Sequence, residues 1–156
     1  MCPSCRWHAE TQLHMYQCTH PEARQLRSNA FRQMEKYYDQ HKIPATVYLP
    51  FVRMCRSVCA DKPPNMTRNV IPSVQRAMEQ QMRLPPEFLL RGLLVSGWHG
   101  SGLQQEDPDL MMKHLHLGLW RILFAQVWEL RNNPNHRTES IAATYGRNQL
   151  LAELSE

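Results

Sequence analysis

Cys2, Cys5, His14 and Cys18 stand in the spacing C-x2-C-x8-H-x3-C, and nothing else in the chain restricts its fold so tightly. Two residues between Cys2 and Cys5 let both sulfurs of a tight turn face one point. Three residues between His14 and Cys18 put them at i and i+4, on one side of a helix. Three cysteines and one histidine form a set that structural zinc prefers, four-coordinate and tetrahedral. Such a set leaves no open coordination position, so the ion would be structural rather than catalytic. It would also supply folding free energy that so short a segment lacks alone. The four donor atoms should then lie within roughly 4 Å of one another. His8 and His20 are rival nitrogen donors. His20, two residues after Cys18, sits awkwardly for a helix, and His8 falls in the loop, so His14 is the expected ligand.

The chain has five cysteines, an odd number, and its N-terminus has neither a basic n-region nor an apolar h-region. That combination points to thiols and metal ligands in a reducing intracellular compartment, not to a disulfide framework. No apolar run approaches the roughly 20 residues needed to span a bilayer. The 156 residues suffice for one modest core.

Helical periodicity dominates the remainder. Pro21 suits a first helical position, and the stretch from there to Lys42 contains no further proline and no glycine. Ala23, Leu26, Ala30, Met34 and Tyr37 recur along it at helical spacing, which predicts one apolar face. Residues 45–60 read as a second helix, interrupted or started at Pro50, and residues 73–84 as a third. Residues 61–72, rich in Pro and Asn, read as a linker, and residues 97–107 as a glycine-rich loop. Asp107-Pro108-Asp109 is a strong helix start. It launches the most apolar element, residues 110–132, expected to be one helix burying Leu115, Leu119, Ile122, Leu123, Val127 and Leu130. A last helical segment is expected over 138–154. Period-2 alternation and internal repeats are absent. The expected class is all-α: a zinc-binding knuckle over 1–20, then a helical domain over 21–156.

The net charge of +4 lies wholly in residues 1–60, where eight Lys/Arg face four acids; residues 61–156 hold ten of each. This bias beside the knuckle is compatible with an anionic partner, but charge alone favours the plainer reading of a solvated face. Cys55 and Cys59 read as buried core thiols, and His114 and His116 point to different sides of their helix. Trp98, Trp120 and Trp128 read as core rather than as base-stacking platforms. Arg131 could touch a phosphate or the carbonyls ending its own helix. No G-x-S-x-G elbow, phosphate loop or converging carboxylate set is present, so an enzyme with a small-molecule substrate is not expected.

"CPSC" followed by "ETQLHMYQC" resembles the zinc-binding segment after the polymerase in non-LTR (LINE-like) retrotransposon reverse transcriptases. Cys2, Pro3, Cys5, Glu10, Thr11, His14 and Cys18 carry the match. "FLLRGLLVSGW" (88–98) and Trp128, Arg131, Asn132 and His136 are similar to stretches in the C-terminal regions of such elements from algae and other protists. With no polymerase ahead of the knuckle, the chain looks like a separated C-terminal fragment, or a gene derived from one. The resemblance implies auxiliary, sequence-nonspecific RNA or DNA binding, with Arg6, Arg24, Arg27 and Arg32 as phosphate contacts. The alternative is an inert or protein-interaction module in which zinc only staples the N-terminus. The two differ in where the arginines lie: together on one exposed face, or spent on acids and core.

Overall fold

The computed structural model describes residues 2, 5, 11–66, 69–101 and 105–132. The helices are α1 (Gln12–Gln17), α2 (Pro21–Gln40), α3 (Ala45–Cys59), α4 (Pro72–Met82), α5 (Pro86–Leu90) and α6 (Ser96–Ser101). A continuous helical rod follows, built of α7 (Pro108–Gly118), a π-helical turn (Leu119–Phe124) and α8 (Ala125–Asn132). No strand occurs among the described residues. The class is therefore all-α, with the cysteine–histidine knuckle ahead of the bundle, as the periodicity predicts. None of the described helices is long and apolar enough to cross a membrane.

Local chemistry accounts for most helix boundaries. Thr11 caps α1, its Oγ1 accepting from the His14 N–H at 3.0 Å. Pro21 opens α2, where the ring nitrogen Nδ1 of His20 accepts from the Glu22 N–H at 3.3 Å. Asp107 caps α7 by accepting from the Leu110 N–H at 2.9 Å. α5 stops after five residues because Gly92 takes φ +80° just beyond it, a left-handed turn that glycine adopts without steric cost. α3 runs straight through Pro50. Proline there gives up one N–H bond, yet Pro50 is buried with Val47, Phe51 and Met54, and that packing holds the helix together.

One core joins α2, α3, α4, α6 and α7. Met34, Tyr38, Phe51, Met54, Met78, Trp98, Leu115 and Leu123 are all fully buried. Phe51 meets Trp98 edge to face, centroids 5.0 Å apart. Cys55 and Cys59 are buried in this core, as expected. Trp98 is core as well, but Trp120 and Trp128 are not: they stand 56% and 48% exposed.

The segment 97–107 does not begin as a loop. Ser96–Ser101 is helix α6, packed on α4 so closely that a Cβ on Gly97 would lie 2.9 Å from the Ala77 Cα. Gly97 thus serves close helix approach rather than a turn. The rod from Pro108 to Asn132 is continuous as expected, but its middle turn is wider. In a regular α-helix, residues four apart drift by about 40° per step. The wider turn takes back part of that drift. Leu115, Leu119, Leu123 and Val127 all stay buried, while Ile122 and Leu130 are only half-buried. The helix expected over 138–154 lies outside the described residues.

Candidate metal centre

The knuckle is built from two directions. Cys2 and Cys5 come from the chain ahead of α1. His14 sits in α1 with its backbone N–H fixed by Thr11, and Cys18 stands at the helix C-terminal cap. The His14 Nε2 lies 3.2 Å from the Cys5 sulfur. The sulfurs of Cys2 and Cys18 are 3.9 Å apart. All four donor atoms fall within 4.8 Å of one another, somewhat wider than the roughly 4 Å expected. A tetrahedral ion with metal–sulfur bonds of about 2.3 Å needs sulfur–sulfur edges of about 3.8 Å. The Cys2–Cys18 pair already has that edge, and the widest pair must contract by about 1 Å. Cys2 and Cys18 are buried and Cys5 and His14 half-buried, so the group can hold a metal ion with little left to solvent. His20 spends its Nδ1 on capping α2, consistent with His14 as the nitrogen donor. The rival His8 lies outside the described residues.

The knuckle rests on α2 and α8. Ala23 packs against Cys2 and Cys18, joined by Leu130 from the end of the rod. A cavity of about 30 Å³ lies between them, lined by Cys2, His14, Cys18, Leu26, Arg27 and Val127 among others. Burial pushes the Cys18 thiol up to about 12; the His20 backbone opposes this shift, and the neighbouring Cys2 and Cys5 add to it. A metal must therefore displace protons to bind.

Three of the four predicted phosphate contacts, Arg24, Arg27 and Arg32, lie on α2 and differ in exposure. Arg27 is only 7% exposed and donates from Nη2 to the Cys18 carbonyl at 2.7 Å, so most of its guanidinium is turned to the knuckle rather than to solvent. Its other terminal nitrogen, Nη1, is buried without a hydrogen-bond partner. Arg24 and Arg32 are exposed. Among the described residues neither is in an ion pair, and Arg32 donates to Asn29 at 2.6 Å. Arg6 lies outside the described residues. Arg24 borders a groove of about 770 Å³ between α1, α2 and the end of α3, together with Thr19, Ser28, Arg56, Asp61 and Lys62. Arg56 is the partner of Glu35 there, at 3.2 Å.

Two arrangements are absent from the sequence reading. Arg131 lies with its guanidinium carbon 5.5 Å from the Trp128 ring centroid. Trp128, Phe124 and Trp120 form an outward stacked row; their i, i+4, i+8 spacing was the available signal. The second arrangement joins α2 to α7. The Tyr37 hydroxyl lies 2.7 Å from His114 Nδ1, and the rings of His41 and His114 stack at 4.1 Å. Burial, then His41 and Lys113, lowers the His114 pKa. Stacked imidazoles do not converge on an ion, and His116 turns aside to the Met112 carbonyl at 2.8 Å. No protein-family model, curated protein or solved structure matches this chain.

Proposed function

We propose that the chain is a non-catalytic helical module whose N-terminus is stapled by structural zinc, and that it binds nucleic acid without sequence preference through phosphate contacts. The convergence of Cys2, Cys5, His14 and Cys18 carries the metal part. Three thiolates and an imidazole suit zinc, and four protein ligands leave it closed to substrate. For the nucleic-acid part, the support is the position of the cations beside the knuckle. Arg24, Arg56 and Lys62 border one open groove with the hydroxyls of Thr19 and Ser28, and Arg32 stands exposed on the same helix as Arg24. Descent from the C-terminal region of a non-LTR retrotransposon reverse transcriptase belongs to the same reading. It rests on the seven matched positions between Cys2 and Cys18.

The rival, a staple-only module without nucleic acid, gains from the burial of Arg27 and the pairing of Arg56 with Glu35. A salt-resolved titration separates them. Phosphate binding releases counterions, so with about three contacts log affinity should fall against log salt with a slope of about −2 to −3. Arg24→Ala should reduce that slope by about one, and zinc analysis of the same sample should give one ion per chain. A flat salt response would leave the staple-only module as the better account.

A further inference from the structure

The rod carries a feature that the core does not require. The rings of Trp120 and Phe124 are parallel within 8°, centroids 4.4 Å apart. Phe124 and Trp128 follow at 6.0 Å and 15°. The two indoles at the ends of this row are about half exposed, an unusual placement for the largest apolar side chains. Arg131 closes the Trp128 end of the row. The Trp120 end is open: its indole walls a cleft of about 220 Å³ with Arg91, Gly92, His116 and Leu117. Gly92 leaves the cleft wall low, because it has no side chain. The charge around the row is positive. The segment 119–132 holds Arg121 and Arg131 against a single acid, Glu129; Arg121 lies within electrostatic reach of Tyr37 on α2, and Arg91 lines the cleft, its Nε donating to the Gln12 side-chain oxygen at 2.9 Å.

A flat apolar partner that also carries negative charge satisfies both halves of this surface. Bases of a single strand have that character: they stack on aromatic rings while phosphates lie against arginines. A buried apolar helix of a protein partner would use the rings but not the positive charge beside them. A duplex would offer phosphates but keep its bases stacked on each other.

We propose that Trp120, Phe124 and Trp128 form a stacking platform for single-stranded nucleic acid, with one base seated on Trp120 in the cleft beside Gly92 and the adjoining phosphate on Arg91. This site rests on the nucleic-acid reading above and deepens it from phosphate attraction to a preference for unpaired strands.

The test uses the zinc-loaded full chain, titrated with an oligothymidylate, a duplex of equal length and thymidine triphosphate, between about 50 and 200 mM salt. Anisotropy of the labelled strand and tryptophan emission are read together. The oligothymidylate should bind more tightly than the duplex or the nucleotide and should quench emission. Trp120→Ala should weaken it by about 5- to 150-fold, the equivalent of one lost base stack, with the salt slope unchanged. Trp120→Phe should restore most of the affinity. Circular dichroism of each variant checks that the helices persist. Steep salt dependence with no quenching, and full affinity in both Trp120→Ala and Trp128→Ala, would overturn the platform and leave the phosphate reading standing. Equal affinity for duplex and single strand, or for nucleotide and strand, would overturn it too. Self-association abolished by Trp120→Ala, without strand binding, would make the row a protein interface. No binding to any probe at low salt would remove both readings.

Discussion

The Arg27 guanidinium donates to the carbonyl of Cys18 at 2.7 Å, which ties a buried cation of α2 to one of the four candidate metal-ligand residues. A divalent ion bound by three thiolates and a neutral imidazole carries one net negative charge. Arg27, buried, with Nη1 lacking a hydrogen bond, supplies the opposite charge. An unpaired buried cation is costly, so the ion and the arginine each lower the cost of burying the other.

Arg27→Met should therefore weaken metal binding by about 10- to 100-fold, as loss of outer-shell partners typically does. Cobalt is a convenient probe, since its absorption reports tetrahedral thiolate ligation while zinc competes for the site. Arg27→Lys should recover part of the affinity. Cys18→Ser should lose stoichiometric metal and Cys59→Ser should not. Unchanged affinity in Arg27→Met would show that Arg27 serves packing alone.

The alkaline limb of stability should begin with the core thiols, ahead of the buried phenols Tyr16 and Tyr38, which burial also raises from a higher ordinary value. Burial raises Cys59 from its ordinary value near 9 to about 12, with Arg27 pulling it part of the way back, and burial raises Cys55 as well. Such groups hold their protons more tightly in the fold than in the unfolded chain. Their contribution is fully present below about pH 9 and is lost as pH rises from there toward 12. The melting temperature should be level from neutral pH to the ordinary thiol pKa and should then fall. Cys59→Ala should flatten that fall relative to its own neutral-pH value. An identical alkaline slope in the variant would assign the effect to other groups.

Much of this architecture is legible in the residues. The Asp107-Pro108 start of the rod, the opening of α2 at Pro21 and the convergence of Cys2, Cys5, His14 and Cys18 follow from local rules: capping, ring geometry and ligand spacing. What is less legible depends on partners distant in sequence. Arg27 sits at i+4 from Ala23 and i−4 from Phe31, both buried, so periodicity alone places it inward; its charge argues for solvent, and only the knuckle packed above it reverses that. Gly97 reads as a loop residue because its reason, the Ala77 backbone on α4, is twenty residues away. Trp120 and Trp128 read as core because size and hydrophobicity favour burial. The π-helical turn, which keeps Leu119 and Leu123 inward, has no local signature in the sequence.

That turn leads to the last prediction. Gly118 ends α7 where the Tyr38 ring lies against the rod, and a Cβ there would collide with the Tyr38 hydroxyl and ring. The same hydroxyl donates to the Leu115 carbonyl at 2.9 Å, so Tyr38 has no free direction in which to retreat from the buried core. Gly118→Ala should therefore destabilise by about 1–3 kcal/mol through overpacking, even though alanine is the better helix former by about 1 kcal/mol. Leu123→Ala, a fully buried truncation on the same rod, should cost about 2–5 kcal/mol. If the contact with Tyr38 is the cause, combining Gly118→Ala with Tyr38→Phe should recover part of the loss, because neighbouring residues couple. Denaturant unfolding of the zinc-loaded chain measures all four proteins. A Gly118→Ala variant as stable as the parent would mean that α2 and the rod are not pressed together at this point, and a Leu123→Ala cost below about half a kcal/mol would place the rod at the periphery of the fold rather than in its core.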